Sequence, residues 1–240
     1  MNMNISSATS VGKIRSVNED SFFASPIGQK GEILAVVADG MGGHNAGEVA
    51  SAQAINILKD LNLRAGIPIK DTLLGAIDCA NNEIYKMSQK NPQQHGMGTT
   101  ITACVIADNK ATVAQVGDSR LYLVKNGKLT QITKDHSLVE MLLESGEITK
   151  EDAKNHPQKN VITRALGTDN TVDIDTYELE VSEDDILLLC SDGLVNMVAE
   201  EKILSVITKA QDFDSLANTL VKEAENAGGL DNITVVLVKL

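Results

Sequence analysis

The sequence predicts an α+β protein in which antiparallel sheets carry layers of helices and can stack face to face. Three observations lead there. Strand-like runs come in groups, amphipathic helical stretches come in consecutive pairs between those groups, and strand and helix nowhere alternate one for one as in a βαβ fold. With 240 residues and no Pro/Ser-rich linker, repeat or low-complexity tract, one domain spanning 1–240 is expected.

The first strands are expected at about Ser21 to Ser25 and Ile33 to Ala38, which are β-branched or apolar and bounded by turn residues. Asn45 suits a helix N-cap with Glu48 three residues on, and Ala50, Ala54, Ile57, Leu58 and Leu61 then share a face. Leu73, Ile77, Ala80, Ile84 and Met87 predict a second helix lying on a core. Strands resume at Thr99 to Ala107, Thr112 to Val116 and Leu121 to Lys125, the last running into the hairpin signal Asn126-Gly127. From Lys134 to Arg164 the chain turns polar, carries His136, His156 and Pro157, and shows only a short helical pattern from Leu138 to Leu143; it is expected to be a surface flap. Tyr177 to Val181 and Ile186 to Cys190 predict further strands. Ile203, Leu204 and Ile207 pattern one late helix, and Leu216, Ala217, Leu220, Val221 and Ala224 another, before a last strand from Ile233 to Lys239.

Composition narrows the function. The 21 Lys plus Arg against 33 Asp plus Glu leave a net charge of −12, which disfavours nucleic acid or an anionic membrane as main partner. Three cysteines without Cys-x-x-Cys spacing suggest neither a disulfide framework nor a zinc cluster, and imply a reducing compartment. Met1 to Val11 lacks the features of a signal peptide, and no apolar stretch approaches the roughly 20 residues that span a bilayer. A cytoplasmic protein is expected.

Two dipeptides stand out. Asp39-Gly40 and Asp192-Gly193 each close an apolar run, an arrangement that delivers an anion to a sheet rim where glycine lets a ligand approach. Glu19-Asp20, Asp118 and Asp231 bring the carboxylates at strand or turn positions to six, a supply suited to hard divalent cations. Gathered without a cation they would repel one another, whereas a two-metal site would remove the conflict and acidify a bridging water into hydroxide. Arg15 precedes Asn18-Glu19-Asp20, and its fork of donors suits two phosphate oxygens. Each feature also has an ordinary reading: Asp-Gly is a common turn dipeptide, Glu19-Asp20 a solvated pair, Arg15 a surface charge, Asp231-Asn232 an Asx turn.

Other chemistries are disfavoured. A cysteine phosphatase needs Arg six positions after its Cys, where this chain has Tyr85, Lys110 and Asn196. Gly12-Lys13 and Gly127-Lys128 run into Ile14 and Leu129 rather than Ser or Thr, so there is no P-loop. Gly117-Asp118-Ser119 echoes some serine esterases, but the last histidine is His156, too early for their triad.

Taken in order, Gly12-Lys13-Ile14-Arg15-Ser16-Val17-Asn18-Glu19-Asp20, Val37-Ala38-Asp39-Gly40-Met41-Gly42-Gly43-His44, Gly98-Thr99-Thr100, Val116-Gly117-Asp118-Ser119-Arg120, Ile162-Thr163-Arg164-Ala165-Leu166-Gly167, Ser191-Asp192-Gly193 and Asp231-Asn232-Ile233-Thr234 resemble the PPM family, the metal-dependent type 2C protein phosphatases, above all its small bacterial members. The resemblance implies a central antiparallel β-sandwich flanked by pairs of helices in α-β-β-α layers, with Mn²⁺ or Mg²⁺ in a cleft at one edge. It implies that Asp39 bridges two metals, that Asp192 and Asp231 complete the first site, and that Glu19 and the Gly40 carbonyl serve the second with Asp20 holding waters. Asp118, sharing Asp192, would bind a third ion, and Arg15 would grip phosphate. Many eukaryotic relatives carry His directly after this Asp-Gly; here Met41 stands there, leaving His44 or a metal-bound water as general acid.

The expected activity is hydrolysis of phosphoserine and phosphothreonine by in-line attack of a metal-bridging hydroxide, with no covalent intermediate. Expected partners are phosphorylated proteins, a serine/threonine kinase among them, acted on by a monomer. A metal-holding binding protein of the same fold, or an esterase for small phosphates, stay open as alternatives.

Overall fold

Ile33, Ala35 and Val37 join one buried cluster and Leu34, Val36 and Ala38 another, so a single strand is buried on both of its faces. That double burial explains why its sequence is a continuous apolar run instead of an alternating one. The structure is a computed structural model and describes residues 3–28, 31–42 and 46–240.

Among the described residues the order is β1 (Asn4–Ser10), β2 (Asp20–Ile27), β3 (Glu32–Met41), α1 (Ala46–Leu58), α2 (Ile69–Lys90), a 3₁₀ turn (Pro92–Gln94), β4 (Gly98–Thr99), β5 (Ile101–Ala107), β6 (Lys110–Val116), β7 (Arg120–Lys125), β8 (Lys128–Gln131), α3 (Leu138–Ser145), α4 (Lys150–Lys154), β9 (Asp175–Glu180), β10 (Ile186–Cys190), α5 (Asp192–Val195), α6 (Glu200–Lys209), α7 (Leu216–Asn226) and β11 (Ile233–Lys239). One sheet runs β1-β11-β10-β7-β8 and the other β2-β3-β5-β6-β9 with β4 on β3, and every pairing is antiparallel.

The sheets meet through Ile33, Ala35, Val37, Ile106, Leu187, Leu189, Val236 and Val238. Outside the second sheet, Ala50, Ala54 and Leu58 of α1 with Leu73, Ile77 and Ile84 of α2 cover Leu34 and Val36. Outside the first, Ile203 and Ile207 of α6 with Leu216 and Leu220 of α7 cover Leu188, Val235 and Leu237. The helix–sheet–sheet–helix layering agrees with the expectation, because each amphipathic helix removes its apolar stripe from water only by lying on a sheet.

Differences from the expected elements have local causes. Asn4–Ser10 is mostly Ser and Thr and was not expected as a strand; it is one because it pairs in full register with β11, Asn4 opposite Lys239 through Ser10 opposite Ile233. The hairpin signal is correct, with Asn126 and Gly127 at φ 52° and 71°, and it adds β8. α4 was missed although Thr149 and Asp152 form a reciprocal capping box. Asn45, the expected N-cap of α1, lies outside the described residues.

The two Asp-Gly pairs need correction. Asp39-Gly40 does not close a strand: β3 continues to Met41, with Gly40 opposite Thr99 of β4. Asp192-Gly193 opens α5 immediately after β10. Both glycines serve close packing of backbone on backbone. A side chain at Gly40 would overlap the Gly47 carbonyl of α1, and one at Gly193 the Asn232 carbonyl before β11.

Segment 134–164 carries α3, which buries none of its residues, and α4. Its two ends are joined: Leu138 N–H donates to Val161 O (2.9 Å) and Thr163 N–H to His136 O (2.8 Å). The segment leaves through Leu166, which exchanges backbone hydrogen bonds with Thr99 (2.9 and 3.1 Å).

Gly193→Ala should therefore lower stability by about 1–3 kcal/mol, the usual range for overpacking, whereas Gly75→Ala, in an open exposed turn of α2, should raise it by about 0.5–1 kcal/mol. Thermal melts of the two variants test this; a neutral Gly193→Ala would refute the packing role.

Candidate metal centre

Antiparallel topology brings distant acids to one edge. Asp20 opens β2 and Asp39 lies near the end of β3; Asp118 stands in the turn from β6 to β7, Asp192 follows β10 and Asp231 precedes β11. Each is at the same end of its sheet, because Asp20 lies opposite Asp39, Ile101 opposite Val116, and Cys190 opposite both Arg120 and Val235. The β6–β7 turn passes from one sheet to the other, placing Asp118 across the seam.

Hydroxyl and amide side chains fix the backbone here. Asp39 N–H donates to Thr100 Oγ1 (2.9 Å), and the Asp39 carbonyl accepts from Thr99 Oγ1 (2.9 Å) and Thr100 N–H (2.8 Å). Thr100 Oγ1 in turn meets Ser119 Oγ at 2.8 Å, tying the Asp39 strand to the Asp118 turn. Asn232, 4% exposed, accepts from Glu19 N–H (2.8 Å) and donates to the carbonyls of Val11 (3.0 Å) and Val17 (2.9 Å). Ser191 Oγ donates to Asp20 Oδ2 (2.8 Å) and accepts from Thr234 N–H (3.0 Å).

The electrostatics are those of crowded anions. Burial and then the charges of Asp20, Asp192, Asp118 and Asp231 push Asp39 well above the ordinary carboxylate range. Burial with neighbouring aspartates also raises Asp20 to about 7, Asp118 to about 8 and Asp192 to about 6, the last restrained by Arg120 and Arg15. Burial raises Glu19 too, against a backbone hydrogen bond from Gly47 and the charge of Arg15. Partial burial works against the Arg15 charge, but Asp231 outweighs it and raises Arg15 through a 2.8 Å ion pair.

Cations fit this donor set. Asp20 Oδ1 and Asp192 Oδ1 are buried without a hydrogen-bond partner, a costly state for a carboxylate oxygen unless something positive faces it. Among the described residues no three Asp, Glu, His or Cys side chains close into a ready cage. Hard ions such as Mg²⁺ keep several waters and take few direct carboxylates, so spaced acids suit them.

Comparison with known proteins agrees. A model of the family described as Protein phosphatase 2C matches residues 6–233. The chain belongs to the protein phosphatase 2C family. It is 43% identical over 238 residues to a serine/threonine phosphatase, stp, of Listeria monocytogenes, covering 96% of this chain and 93% of that one. The crystal structure of the Mycobacterium tuberculosis serine/threonine phosphatase PstP/Ppp superposes with TM-score 0.92 at 38% identity, covering 99% and 98% of the two chains. A PstP catalytic domain in complex with 2 manganese ions matches with TM-score 0.89 at 37% identity over 99% and 97%. This protein phosphatase 2C is thus a metal-dependent serine/threonine protein phosphatase served by Mn²⁺ or Mg²⁺.

All the acids and Arg15 singled out from the sequence of this phosphatase converge, and only His44 lies outside the described residues. The sequence reading missed their supports. Arg120 sits behind the acids, doubly bonded to Asp135 (2.7–3.0 Å) and to Tyr122 (2.9 Å), and its charge holds Asp118 and Asp192 down. His136 accepts at Nδ1 from Gly117 N–H (3.0 Å) while its backbone N–H donates to Gly117 O (2.9 Å), clamping the residue before Asp118. Burial and Arg164 lower the His136 pKa, keeping that imidazole neutral and Nδ1 free to accept. Gly47 carried no signal within the expected first helix, and Asn232, although part of the Asp231-Asn232-Ile233-Thr234 block, showed nothing of the three bonds it makes.

On the metal-free enzyme the raised carboxylates bind protons more tightly folded than unfolded. Their contribution to stability is full below the ordinary 3.8 and is lost as pH rises through about 8. EDTA-treated wild type should therefore lose Tm relative to Asp39→Asn between about pH 5 and about pH 8, with Mn²⁺ reversing the loss. Parallel pH profiles for the two proteins would contradict the cluster.

Proposed function

We propose that this chain dephosphorylates phosphoserine and phosphothreonine in cytoplasmic proteins, a serine/threonine kinase among them, by one direct displacement with water. One observation supports this above all: five aspartates from five separate segments crowd one edge with two orphaned buried oxygens, and Arg15 stands exposed beside them. Among the described residues no helix is long and apolar enough to cross a membrane.

In this reading Asp39, Asp192 and Asp231 would hold one ion, and Asp39, Glu19 and the Gly40 carbonyl a second, with Asp20 holding waters. Asp118, with Asp192, would hold a third. Divalent ions so held would supply positive charge towards the phosphoryl group and lower the pKa of a water, the nucleophile of this reading. Arg15, swinging from Asp231 on its half-exposed side chain, offers paired donors to the phosphate oxygens and stabilises charge that builds on them. His44 is the candidate proton donor to the leaving alkoxide.

Protein nucleophiles are poorly placed. The Cys104 and Cys190 thiols are buried and pushed up to about 12, and Cys79 is exposed on α2. Ser119 Oγ is buried against Thr100, and both His136 ring nitrogens are engaged elsewhere, Nδ1 by Gly117 N–H and Nε2 by Arg164 and Asp175. A monomer suffices for this chemistry, since every proposed group comes from one chain.

Hydrolysis of p-nitrophenyl phosphate should require Mn²⁺ or Mg²⁺ and stop in EDTA. Asp39→Ala should abolish it, Asp118→Ala weaken it, and Arg15→Ala cost roughly a hundredfold in kcat/KM. Turnover surviving in EDTA or in Asp39→Ala would refute the mechanism, and a preference for nucleotides over phosphopeptides would refute the substrate class.

A further inference from the structure

Three of the six large apolar side chains left exposed among the described residues sit on two neighbouring loops: Val11 at 36%, Ile14 at 69% and Leu230 at 56%. Single exposed apolar residues are ordinary, but a group of them beside a functional cleft is not. Ile14 directly precedes Arg15, and Leu230 directly precedes Asp231, the partner of Arg15.

The loops are fastened to each other. Lys13 N–H donates to Gly229 O (2.7 Å), and Asn232 Nδ2 donates to Val11 O (3.0 Å). Ser10 Oγ donates to Glu225 Oε1 (2.6 Å) and accepts from Gly12 N–H (3.1 Å). Gly12 adopts φ 78°, and a side chain there would overlap the Asp231 carbonyl. These bonds hold the segments from Val11 to Arg15 and from Gly229 to Asn232 side by side, so their apolar side chains form a fixed rim instead of folding inward. Lys13 is exposed and enters no ion pair among the described residues. Asp231 and Glu225 offset the charge of the rim as a whole, so the cationic groups it can turn to a phosphate are Lys13 and, on leaving Asp231, Arg15.

We propose that this rim is a substrate subsite: it seats an apolar side chain lying close in sequence to the phosphorylated serine or threonine, while Lys13 and Arg15 draw in the phosphate. The proposal rests on the phosphatase reading. Its occupant follows from continuity, since Ile14 and Leu230 adjoin the Arg15 and Asp231 pair that a bound phosphate would meet.

The test uses the full chain with Mn²⁺ and pairs of phosphopeptides differing only in Leu or Ser beside the phosphoserine, on either side of it. Wild type should show a KM about tenfold lower for the Leu peptides, the usual worth of one apolar contact. Ile14→Ser with Leu230→Ser should erase that difference and leave p-nitrophenyl phosphate turnover unchanged. Equal KM values for Leu and Ser peptides in wild type, with p-nitrophenyl phosphate still hydrolysed, would overturn the subsite while the phosphatase reading stands. Loss of self-association in the double variant by light scattering, without loss of peptide preference, would also overturn it by assigning the rim to a second copy.

Discussion

Mutual repulsion of acidic side chains is the constraint on which this molecule turns. Asp20 lies directly opposite Asp39 on paired antiparallel strands, an arrangement that destabilises a sheet whenever both are charged. Asp118, Asp192 and Asp231 add to the same field. Folding to this shape in the absence of cations leaves the acids partly protonated, and a cation among them would remove the reason for it. A cation held by these groups would therefore link metal affinity to folding stability.

Holding such a cluster together is work divided between two kinds of device. The apolar layers provide bulk stability and put the strand ends at a common edge. The edge itself is fixed by small polar and missing side chains: Thr100 and Ser119 between β3 and the Asp118 turn, Ser191 between Asp20 and β11, and Asn232 between β11 and the Arg15 loop. Gly40 and Gly193 allow backbones to touch beside the acids they follow. Arg120 lies behind the cluster, locked by Asp135 and Tyr122, and supplies fixed positive charge that outlasts any change in metal occupancy.

Much of this was legible in the sequence because the core obeys simple periodicities. Leu73, Ile77 and Ile84 all point inward from α2 as their spacing requires, and the run from Ile186 to Cys190 is a strand with the expected bounds. The failures share a cause. β1 has only Ile5 and Ala8 as apolar residues, and its structure comes from a partner more than two hundred positions away. Gly40 and Gly193 looked like turn glycines, since nothing local distinguishes freedom of rotation from closeness to a distant carbonyl. Arg120 and Asn232 stood within recognisable blocks, but their tasks depend on which side chains face them. The acids themselves were readable as a set through their number, their placement after or before strands and their resemblance to one family.

Arg15 and Asp231 are 216 positions apart, and β1 closes its sheet only by pairing with β11. Most of the domain must be synthesised before the loop around Arg15 meets its partner. Contacts of such long separation form late and slowly, after local helices and hairpins. Before that meeting the acids are separate hydrated groups with ordinary affinities for protons. The register of β1 and the anchoring of the Arg15 loop are thus settled together, by the last strand.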